Sequence, residues 1–497
     1  MMKYLWLFFS TCVLFSCGTS DSGGGDTEQP NVVLIFADDL TFNAVQSLGN
    51  GTVRTPNIDR IASQGVTFSN AFNMGGWNGA ICVASRSMMI SGRSLWRANA
   101  FKEYWRRGAE MDKTWGQLMS GQGYDTYMTG KWHVAAPAEK VFGTTRHIRP
   151  GMPPDAWPGG KVNQKLKELE EGKYTSLQEI MPVGYHRPMD ENDDSWSPTD
   201  TSFGGFWKGG RHWSEVVADD ALLFLKDAKK SEHPFMMYVA FNAPHDPRQA
   251  PQSYLDMYPV EDMPIPANWQ SLHPFADSMG CGPGLRDEAL APFPRTEFAT
   301  KKHIQEYYAI ITHLDDQIGR ILDQIEASGK SDNTYVFFTA DHGLAVGHHG
   351  LLGKQNMYEH SIRVPLMMAG PDVPAGKTSE ADVYLQDIMA TALDVAGIEK
   401  PTYVEFNSLL PLATGKRQES HYDAIYGAYV NWQRMIRKDQ HKLIVYPRAE
   451  KIELFDLAAD PHELNNVAED PTYREKREAL MVELRDLQDH YDDDLKL

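Results

Sequence analysis

Three continuous apolar segments along the chain predict strands that are covered on both faces. They span residues 31–37 (NVVLIFA), 235–241 (FMMYVAF) and 334–340 (TYVFFTA), and all are rich in β-branched or aromatic residues. Runs of this kind are typical of parallel sheets, whose two faces are shielded by helices. Helix-like stretches lie between them, such as one in which Pro56 suits the first turn and Gly65 the end. The pattern therefore predicts an α/β fold.

Each of these strands is followed directly by residues that can carry chemistry. The first ends in Asp38 and Asp39, the second runs into Asn-Ala-Pro and His245, and the third ends in Asp341 and His342. In open α/β sheets, ligands bind beyond the carboxyl ends of the strands. We therefore expect these acidic and imidazole groups to meet at one edge of the sheet, although hundreds of residues separate them along the chain.

Convergence of the carboxylates implies a bound cation. If Asp38, Asp39 and Asp341 lie within ~4 Å of one another, each pair repels by ~4 kcal/mol at an effective dielectric constant near 20. A hard divalent ion removes this repulsion, and oxygen ligands favour Ca²⁺ or Mg²⁺ over Zn²⁺. The alternative is that the Asp38-Asp39 pair forms a turn or a helix cap and that His342 is a core histidine.

The most specific segment of the chain begins at Cys82 and reads CVASRSMMISGR. It resembles the sulfatase signature C-x-[PA]-S-R-x-x-x-x-[ST]-G-R, whose cysteine is converted to formylglycine (3-oxoalanine). Every fixed position matches, with Ala84 and Ser91 as accepted alternatives. A buried free thiol is the ordinary role of a single cysteine, and the surrounding signature argues against that role here.

The resemblance to formylglycine-dependent sulfatases extends from about residue 31 to the C-terminus. The other matching segments are 55–62, 65–71, 129–133 (TGKWH), 244–245 (PH), 341–343 (DHG), 347–350 with Lys354, 442–445, 453–457 and 460–466. It implies an alkaline-phosphatase-like α/β domain with a mixed, mostly parallel sheet between helices, and a smaller C-terminal antiparallel α+β subdomain. The expected boundaries are a signal at 1–16, a tether at 17–30, a catalytic domain at 31–400 and the subdomain at 401–497.

The resemblance also implies a metal centre. Its cation would be Ca²⁺ rather than Mg²⁺. The implied ligands are Asp38, Asp39, Cys82, Asp341 and His342. Some members of the family carry Asn where this chain has His342, and others carry His.

The resemblance assigns roles in sulfate-ester cleavage to five further residues. Arg86, with help from Lys131, would orient and stabilise the hydrated aldehyde formed from residue 82. Lys131 and Lys354 would hold the sulfate oxygens, where fixed positive charge is needed. His245 is the expected general acid toward the leaving oxygen and a further substrate contact, and His133 the base that restores the aldehyde.

Two long loop regions are expected to shape the substrate pocket. They lie around residues 140–215 and 255–298 and are rich in Pro, Gly and Trp. Arg248, three residues after the candidate acid, is a further candidate substrate contact.

The N-terminus predicts export and lipid anchoring. An apolar run over residues 4–15 follows Lys3 and is too short to span a bilayer, which takes ~20 helical residues. It fits a secretory signal, and Leu-Phe-Ser-Cys at 14–17 resembles a bacterial lipobox with Cys17 as the lipidated residue. Residues 18–29 predict a flexible tether. Plain secretion and an uncleaved membrane anchor are the alternatives to a lipoprotein at the periplasm or cell surface, attached through its lipid alone.

The composition argues against one class of binding partner. Lys and Arg number 48 against 67 Asp and Glu, which gives a net charge of −19 and argues against nucleic-acid binding. Four cysteines, at positions 12, 17, 82 and 281, are too few for a disulfide scaffold. Cys281 has no assigned role.

Three functions compete. The first is hydrolysis of a sulfate monoester on a sulfated carbohydrate, with an algal glycan such as ulvan favoured over a host glycosaminoglycan. The second is a phosphonate or phosphodiester hydrolase of the same superfamily, and the third a non-catalytic glycan-binding lipoprotein. The first two require a maturation partner, either a formylglycine-generating enzyme or an anaerobic maturation enzyme.

Overall fold

The computed structural model describes residues 29–151 and 157–497. The predicted signal, the lipidation site Cys17 and nearly all of the predicted tether therefore lie outside the described residues. In that part of the chain no helix is both long enough and apolar enough to cross a membrane.

Eighteen strands are defined within the described residues. They are β1 Asn31–Ala37, β2 Val66–Phe68, β3 Ala71–Phe72, β4 Gly75–Gly76, β5 Asp125–Lys131, β6 Thr144–Arg149, β7 Trp207–Lys208, β8 Arg211–His212, β9 Phe235–Ala240, β10 Thr334–Ala340, β11 Arg363–Val364, β12 Leu366–Ala369, β13 Lys377–Ser379, β14 Val383–Tyr384, β15 Ile425–Tyr429, β16 Gln433–Lys438, β17 His441–Tyr446 and β18 Lys451–Asp456.

Thirteen α-helices accompany them in the same part of the chain. They are α1 Pro56–Gln64, α2 Ile81–Ser91, α3 Leu95–Arg106, α4 Trp115–Gly121, α5 Ala138–Val141, α6 Gly159–Glu170, α7 Trp213–Ala228, α8 Gln252–Leu255, α9 Glu297–Ser328, α10 Glu359–Ile362, α11 Asp387–Val395, α12 Leu410–Ala413 and α13 Arg474–His490.

The three apolar segments are neighbours at the centre of an eight-stranded sheet with the order β13-β2-β12-β10-β1-β9-β5-β6. β1 pairs in parallel with both β10 and β9, and β5 and β6 continue the parallel half. β12 is antiparallel to β10 and to β2. Every residue of β1 and β10 is buried, as expected for strands covered on both faces. The predicted mixed, mostly parallel sheet is confirmed.

Helices pack in two groups around this sheet. One group joins α1, α7 and α9, and the other joins α2, α3, α4 and α11. The 32-residue α9 also supports the start of α1, because the Asp315 carboxylate accepts the backbone N–H groups of Asn57 and Ile58. Those N–H groups lack partners inside α1. The helix predicted from Pro56 ends before Gly65 as expected.

The C-terminal part forms a second sheet with the order β18-β17-β16-β15-β4. β15 to β18 are antiparallel, and β4 joins the edge of β15 from the N-terminal half of the chain. Helix α13 packs on β16 and β17. Through β4, which ends five residues before α2 begins, this sheet is tied to the segment that carries Cys82.

Candidate active site

The ends of the three central strands meet as predicted. The backbone N–H of Asp38 donates to the carbonyl of Ala243 (3.1 Å), and that of Asp341 donates to Ala37 (3.2 Å). The N–H of Asp39 donates to Oδ1 of Asp341 (3.1 Å). Asp39 holds a left-handed backbone conformation with φ +64°, which Asp tolerates better than most residues. Side chains from sequence positions about three hundred residues apart thus share one buried edge.

Cys82 lies in the first turn of α2, next to this edge of the sheet, and is only 2 % exposed. Its Sγ lies 3.2 Å from Nζ of Lys354. Burial raises the pKa of the thiol to about 12, although Lys131 and Lys354 act in the opposite direction. A reactive cysteine needs a lowered pKa, because the thiolate is the nucleophile. The unmodified side chain is therefore an inert thiol at neutral pH.

Two buried lysines face the first two carboxylates. Nζ of Lys131 bonds Oδ2 of Asp38, and Nζ of Lys354 donates to both oxygens of Asp39, at 2.7 and 2.5 Å. Gly130 (φ +88°) sits at an irregularity in the β5–β6 pairing, where any Cβ would collide with a backbone carbonyl. This glycine lets β5 pass close to β9 and brings Lys131 into the site.

Arg86 holds the third carboxylate in place. From the second turn of α2, its Nε donates to Oδ2 of Asp341 (2.8 Å) and its Nη1 donates to the carbonyl of Lys131 (2.8 Å). Its guanidinium also stacks 4.6 Å from the ring centre of Phe36. Burial raises the pKa of Asp341, but Arg86, Lys131 and Lys354 outweigh this and leave it lowered overall. Asp341 is therefore ionised.

His245 is held as a neutral ring with a defined tautomer. Nδ1 lies 2.8 Å from the backbone carbonyl of Asp246, so Nδ1 carries the proton. Nε2 lies 3.3 Å from Nη2 of Arg286, which can only donate, and 3.5 Å from Oδ2 of Asp39. Burial and the positive charges of Lys354, Lys131 and Arg286 lower its pKa well below the usual value. Nε2 is therefore an acceptor in this structure.

His133 follows Lys131 by two residues and lies close to the charged groups of the site. It adopts φ +57°, and its ring packs against Gly151. Burial, then Lys131 and Arg86, lower its pKa to about 2. Its buried Nδ1 has no hydrogen-bond partner within the described part of the chain. The ring is therefore neutral with an available nitrogen, and its lowered pKa makes it a weak base in this state.

The carboxylates at this edge could hold a divalent cation. Ligand atoms of Asp38, Asp39, Cys82 and His245 all lie within 4.8 Å of one another, so this group contains three of the predicted ligands together with His245, and it does not include Asp341 or His342. Asp341 adjoins this group through the N–H of Asp39, but Arg86 draws its other oxygen away. The buried Oδ1 of Asp38 accepts no hydrogen bond from the described residues, and Nη2 of Arg86 lies 4.0 Å from it. Burial, followed by Asp341, raises the pKa of Asp38 well above its usual range, and a bound cation would relieve that cost.

The protonation state and hydrogen bonding of His342 are those that a metal ligand requires. Its Nδ1 lies 3.1 Å from the carbonyl of Gly343, and its buried Nε2 has no bonding partner in the chain as described. Burial lowers its pKa to about 4, so the ring is neutral and Nε2 can ligate.

The family is settled by comparison with known proteins. Residues 30–398 match the sulfatase family model. The chain belongs to the sulfatase family. A second match, to the family described as N-sulphoglucosamine sulphohydrolase, C-terminal, covers residues 347–490. The protein is a sulfuric ester hydrolase with an alkaline-phosphatase-like fold, as the signature predicts.

Curated relatives are similar in sequence to this sulfatase over nearly its whole length. It is 29 % identical to an arylsulfatase of Clostridium perfringens, with 94 % of this chain and 97 % of the relative aligned. It is 25 % identical to an N-acetylglucosamine-6-O-sulfatase of Bacteroides thetaiotaomicron, over 94 % and 88 %. An ulvan-active sulfatase of Formosa agariphila is 26 % identical, over 92 % and 80 %.

Solved structures share the fold of this sulfatase. One, bound to its substrate D-glucosamine-2-N,6-O-disulfate, has a TM-score of 0.70 at 23 % identity, over 94 % of this chain and 99 % of that one. A phosphonate monoester hydrolase of Agrobacterium radiobacter also has a TM-score of 0.70, at 22 % identity, over 93 % and 96 %.

The role of Arg248 as a substrate contact in the sulfatase stays a prediction. Nη1 of Arg248 lies 2.8 Å from Nδ1 of His303 on α9, and the side chain is buried. A guanidinium that contacts His245 belongs to Arg286. The sequence offers a weak signal for it, since Arg286 begins a charged Arg-Asp-Glu triplet inside a Gly- and Pro-rich loop.

The other two residues of that triplet form hydrogen bonds close to the site. Asp287 pairs with Arg286 and accepts from Nε2 of Gln355 (2.6 Å). Glu288 accepts the backbone N–H groups of Leu352 (3.0 Å) and Gly353 (2.8 Å). It therefore fixes the loop that presents Lys354. Sequence analysis missed all three residues.

Proposed function

We propose that this sulfatase hydrolyses a sulfate monoester of a carbohydrate through a formylglycine made from Cys82. The observation that carries this proposal is the setting of Cys82. The thiol lies in the family signature, among Asp38, Asp39 and Lys354, with a pKa raised to about 12. Converted to formylglycine, residue 82 would supply a hydrated aldehyde whose oxygen can attack sulfur.

The positively charged side chains around residue 82 suit the binding of a tetrahedral anion such as sulfate. Lys131, Lys354 and Arg86 supply three positive charges in a dry site, where fixed charge acts strongly. Asp38, Asp39, Asp341 and His342 would hold Ca²⁺, which would add positive charge beside the sulfate. The same carboxylates also bond the two lysines.

The two histidines divide the proton transfers. His133 would take the proton when the aldehyde is restored. Because its pKa is lowered to about 2, a bound anion beside it would have to raise that pKa for this step. His245 would deliver a proton to the leaving oxygen from Nε2. Because Nε2 is unprotonated here, His245 must first gain that proton. A sulfate bound beside it would raise its pKa and favour the protonated ring.

A sugar leaving group is supported by the relatives. One is named N-acetylglucosamine-6-O-sulfatase and another ulvan-active sulfatase. Both names refer to a sulfated sugar, and we propose the same kind of substrate for this chain. An algal glycan remains our preferred source.

The proposed function is tested by comparing turnover of phenyl sulfate and phenyl phosphonate by one matured preparation, with Ca²⁺ and after chelation. We expect hydrolysis of the sulfate, its loss on chelation and its recovery with Ca²⁺ more fully than with Mg²⁺. The variant Cys82→Ala should lose turnover by at least ~10³-fold. A preference for the phosphonate would instead support a phosphonate hydrolase. Binding of sulfated glycans without sulfate release would support a non-catalytic role.

We also propose that the enzyme is exported and lipidated at Cys17, and that its maturation partner acts before folding. Cys82 is 2 % exposed in the folded chain, so a modifying enzyme would reach it in the unfolded chain. The variant Cys17→Ala should move the protein from the detergent phase to the aqueous phase. An unchanged partition would contradict lipid anchoring.

A further inference from the structure

The C-terminal sheet has one end beside the segment that carries Cys82. β15 runs parallel to β4, with Tyr429 opposite Gly76, and the backbone N–H of Val430 donates to the carbonyl of Gly76 (2.9 Å). The chain continues from Gly76 directly into the cysteine segment, where Gly79 lies next to the hydroxyl of Tyr429. The end of the sheet at which β15 turns into β16 therefore lies on the same side as the candidate active site.

The turn between β15 and β16 is also bonded to the loop that presents Lys354. Nε2 of Gln433, the first residue of β16, donates to the carbonyls of Gln355 (2.9 Å) and Met279 (2.8 Å). Gln355 directly follows Lys354, whose Nζ contacts the Sγ of Cys82. One hydrogen bond thus links this turn to the loop of the lysine that would hold the sulfate.

Trp432 in this turn holds the guanidinium of Arg448. Antiparallel pairing of β16 with β17 brings the turn between β17 and β18, which contains Arg448, next to Trp432. Cζ of Arg448 lies 3.7 Å from the centre of the Trp432 ring, and Gly280 packs so closely on that ring that a Cβ there would lie 2.8 Å from it. A stacked guanidinium uses its face for the ring and keeps its in-plane N–H donors. Trp432 therefore fixes Arg448 without occupying those donors.

Arg448 is an exposed cation without a carboxylate partner in the described part of the chain. Among the described residues no ion pair and no hydrogen bond involves its guanidinium, whereas Arg434 and Arg437 on β16 each pair with an aspartate. The charges of Glu450 and Lys451, which follow it, cancel each other. In a chain of net charge −19, where long-range attraction of an anion is absent, such a local donor can select an anionic group.

We infer that Arg448 is a specificity-determining residue that binds an anionic group on a sugar other than the one that carries the scissile ester. The group is a sulfate or a carboxylate, both of which match the planar donors of a guanidinium. The substrate is therefore an oligosaccharide or polysaccharide with at least one further negative charge, rather than a sulfated monosaccharide. This inference rests on the proposed function and names the part of the substrate beyond the reacting sugar.

The test uses the full-length matured enzyme with Ca²⁺. Size-fractionated oligosaccharides of ulvan, carrageenan and heparan sulfate are screened for sulfate release, and the best is compared with its own sulfated monosaccharide and with phenyl sulfate. The best oligosaccharide is also used after reduction of its carboxylates to alcohols. The variants are Arg448→Gln and Arg448→Glu. Arg54→Gln is the matched control, because Arg54, which lies beside α9, is also exposed and forms no ion pair among the described residues.

The wild type should prefer the oligosaccharide to the monosaccharide through a lower KM. In Arg448→Gln, KM for the oligosaccharide should rise ~5–10-fold with kcat unchanged, because a charge-assisted contact outside the reacting sugar is lost. Arg448→Glu should raise KM further by repelling the anion, and added salt should shrink the difference between the wild type and Arg448→Gln. In every variant kcat/KM for phenyl sulfate should stay within ~2-fold of the wild type, and Arg54→Gln should match the wild type throughout.

The reduced oligosaccharide separates the two anionic groups. An effect of Arg448→Gln that survives reduction identifies the bound group as a sulfate, and one that disappears identifies a carboxylate.

Three results would overturn the inference while the proposed function stands. The first is an unchanged KM for the oligosaccharide in Arg448→Gln, and the second is an equal loss on phenyl sulfate, which would mean that the substitution disturbs the site itself. The third is a wild type that hydrolyses phenyl sulfate but uses the monosaccharide as well as the oligosaccharide, or uses neither. Failure of the wild type on every sulfate ester would instead overturn the proposed function.

Discussion

At the scale of single residues, the site is a set of buried charges that compensate one another. Lys354 illustrates this, because one ammonium group contacts both oxygens of Asp39 and the Sγ of Cys82. Burial lowers its pKa, but the surrounding negative charges outweigh this and raise it well above the usual value. Lys354 is therefore a permanent cation at the position where the sulfate would bind.

Replacing Lys354 with Gln should reduce kcat on phenyl sulfate by ~10²–10³-fold, because it removes one fixed donor to the sulfate. The measurement is steady-state kinetics with saturating Ca²⁺, at a temperature well below the unfolding midpoint. Lys442→Gln is a matched control, since Lys442 is also fully buried between two carboxylates, Glu359 and Glu463. It should lose stability while kcat changes by less than ~3-fold. Equal effects of both variants on kcat would contradict the assigned role.

Several residues of the site follow from the sequence because they stand directly after buried strands or within the signature. Asp38, Asp39, Asp341 and Cys82 are of this kind, and the register of β1 against β10 alone brings the aspartates together. Arg286 does not follow from local pattern. Its place beside His245 depends on how a long polar loop folds back over the sheet, and that path is set by contacts far apart in sequence.

At the scale of elements, one loop connects the rigid sheet to Lys354. The segment before Lys354 has no regular structure, and Glu288 holds it by accepting the N–H groups of Leu352 and Gly353. Arg295 pairs with the same carboxylate at 2.6 Å. Glu288 therefore substitutes for the backbone partners that a strand would supply.

The variant Glu288→Gln should lower the free energy of unfolding by ~3–5 kcal/mol, because it removes the only carboxylate that forms a salt bridge with the buried Arg295 among the described residues. It should also reduce kcat through misplacement of Lys354, by ~10-fold or more. Urea denaturation and steady-state kinetics measure the two effects. Glu171→Gln, at an exposed position, is the control and should change neither. A stable variant with full activity would show that the loop does not need this anchor.

The strands of the core are the elements that sequence predicts best. β1 and β10 have the predicted bounds, and β9 ends one residue earlier than expected. Their uniform apolar composition requires burial on both faces, which leaves few alternatives. β4 was not predicted, because two glycines carry no hydrophobic pattern, and its pairing with β15 arises only in the folded chain.

At the scale of the whole molecule, the catalytic part and the C-terminal sheet share a buried ionic cluster. Glu359 at the start of α10 pairs with Lys442 on β17 (2.7 Å) and lies near Arg437 on β16. Burial raises the pKa of Glu359, but Lys442, Arg437 and Arg363 outweigh it and lower the pKa overall. Burial instead raises the pKa of Glu463, which shares Lys442.

These opposite shifts predict a pH dependence of stability. A lowered pKa in the folded state means that Glu359 stabilises the fold above its ordinary value of 4.5 and that this is lost as the pH falls below it. Glu463, with a raised pKa, contributes stability that is lost as the pH rises above 4.5. Glu359→Gln should therefore flatten the acid side of the profile, and Glu463→Gln the neutral side, each by ~1–3 kcal/mol.

Urea denaturation between pH 3 and 8, ~0.5 pH unit apart, measures both limbs. Each variant is the control for the other, because both remove one carboxylate from the same lysine. Identical changes in both pH windows would contradict the assigned shifts.

Conversion of Cys82 is the central claim, and mass spectrometry of the tryptic peptide that contains it tests the claim most directly. The protein is produced with a maturation enzyme at several levels, so that preparations differ in the converted fraction. We predict that residue 82 loses its sulfur and carries an aldehyde, and that specific activity on phenyl sulfate rises in proportion to that fraction. Full activity in a preparation that contains only unmodified cysteine would contradict the account.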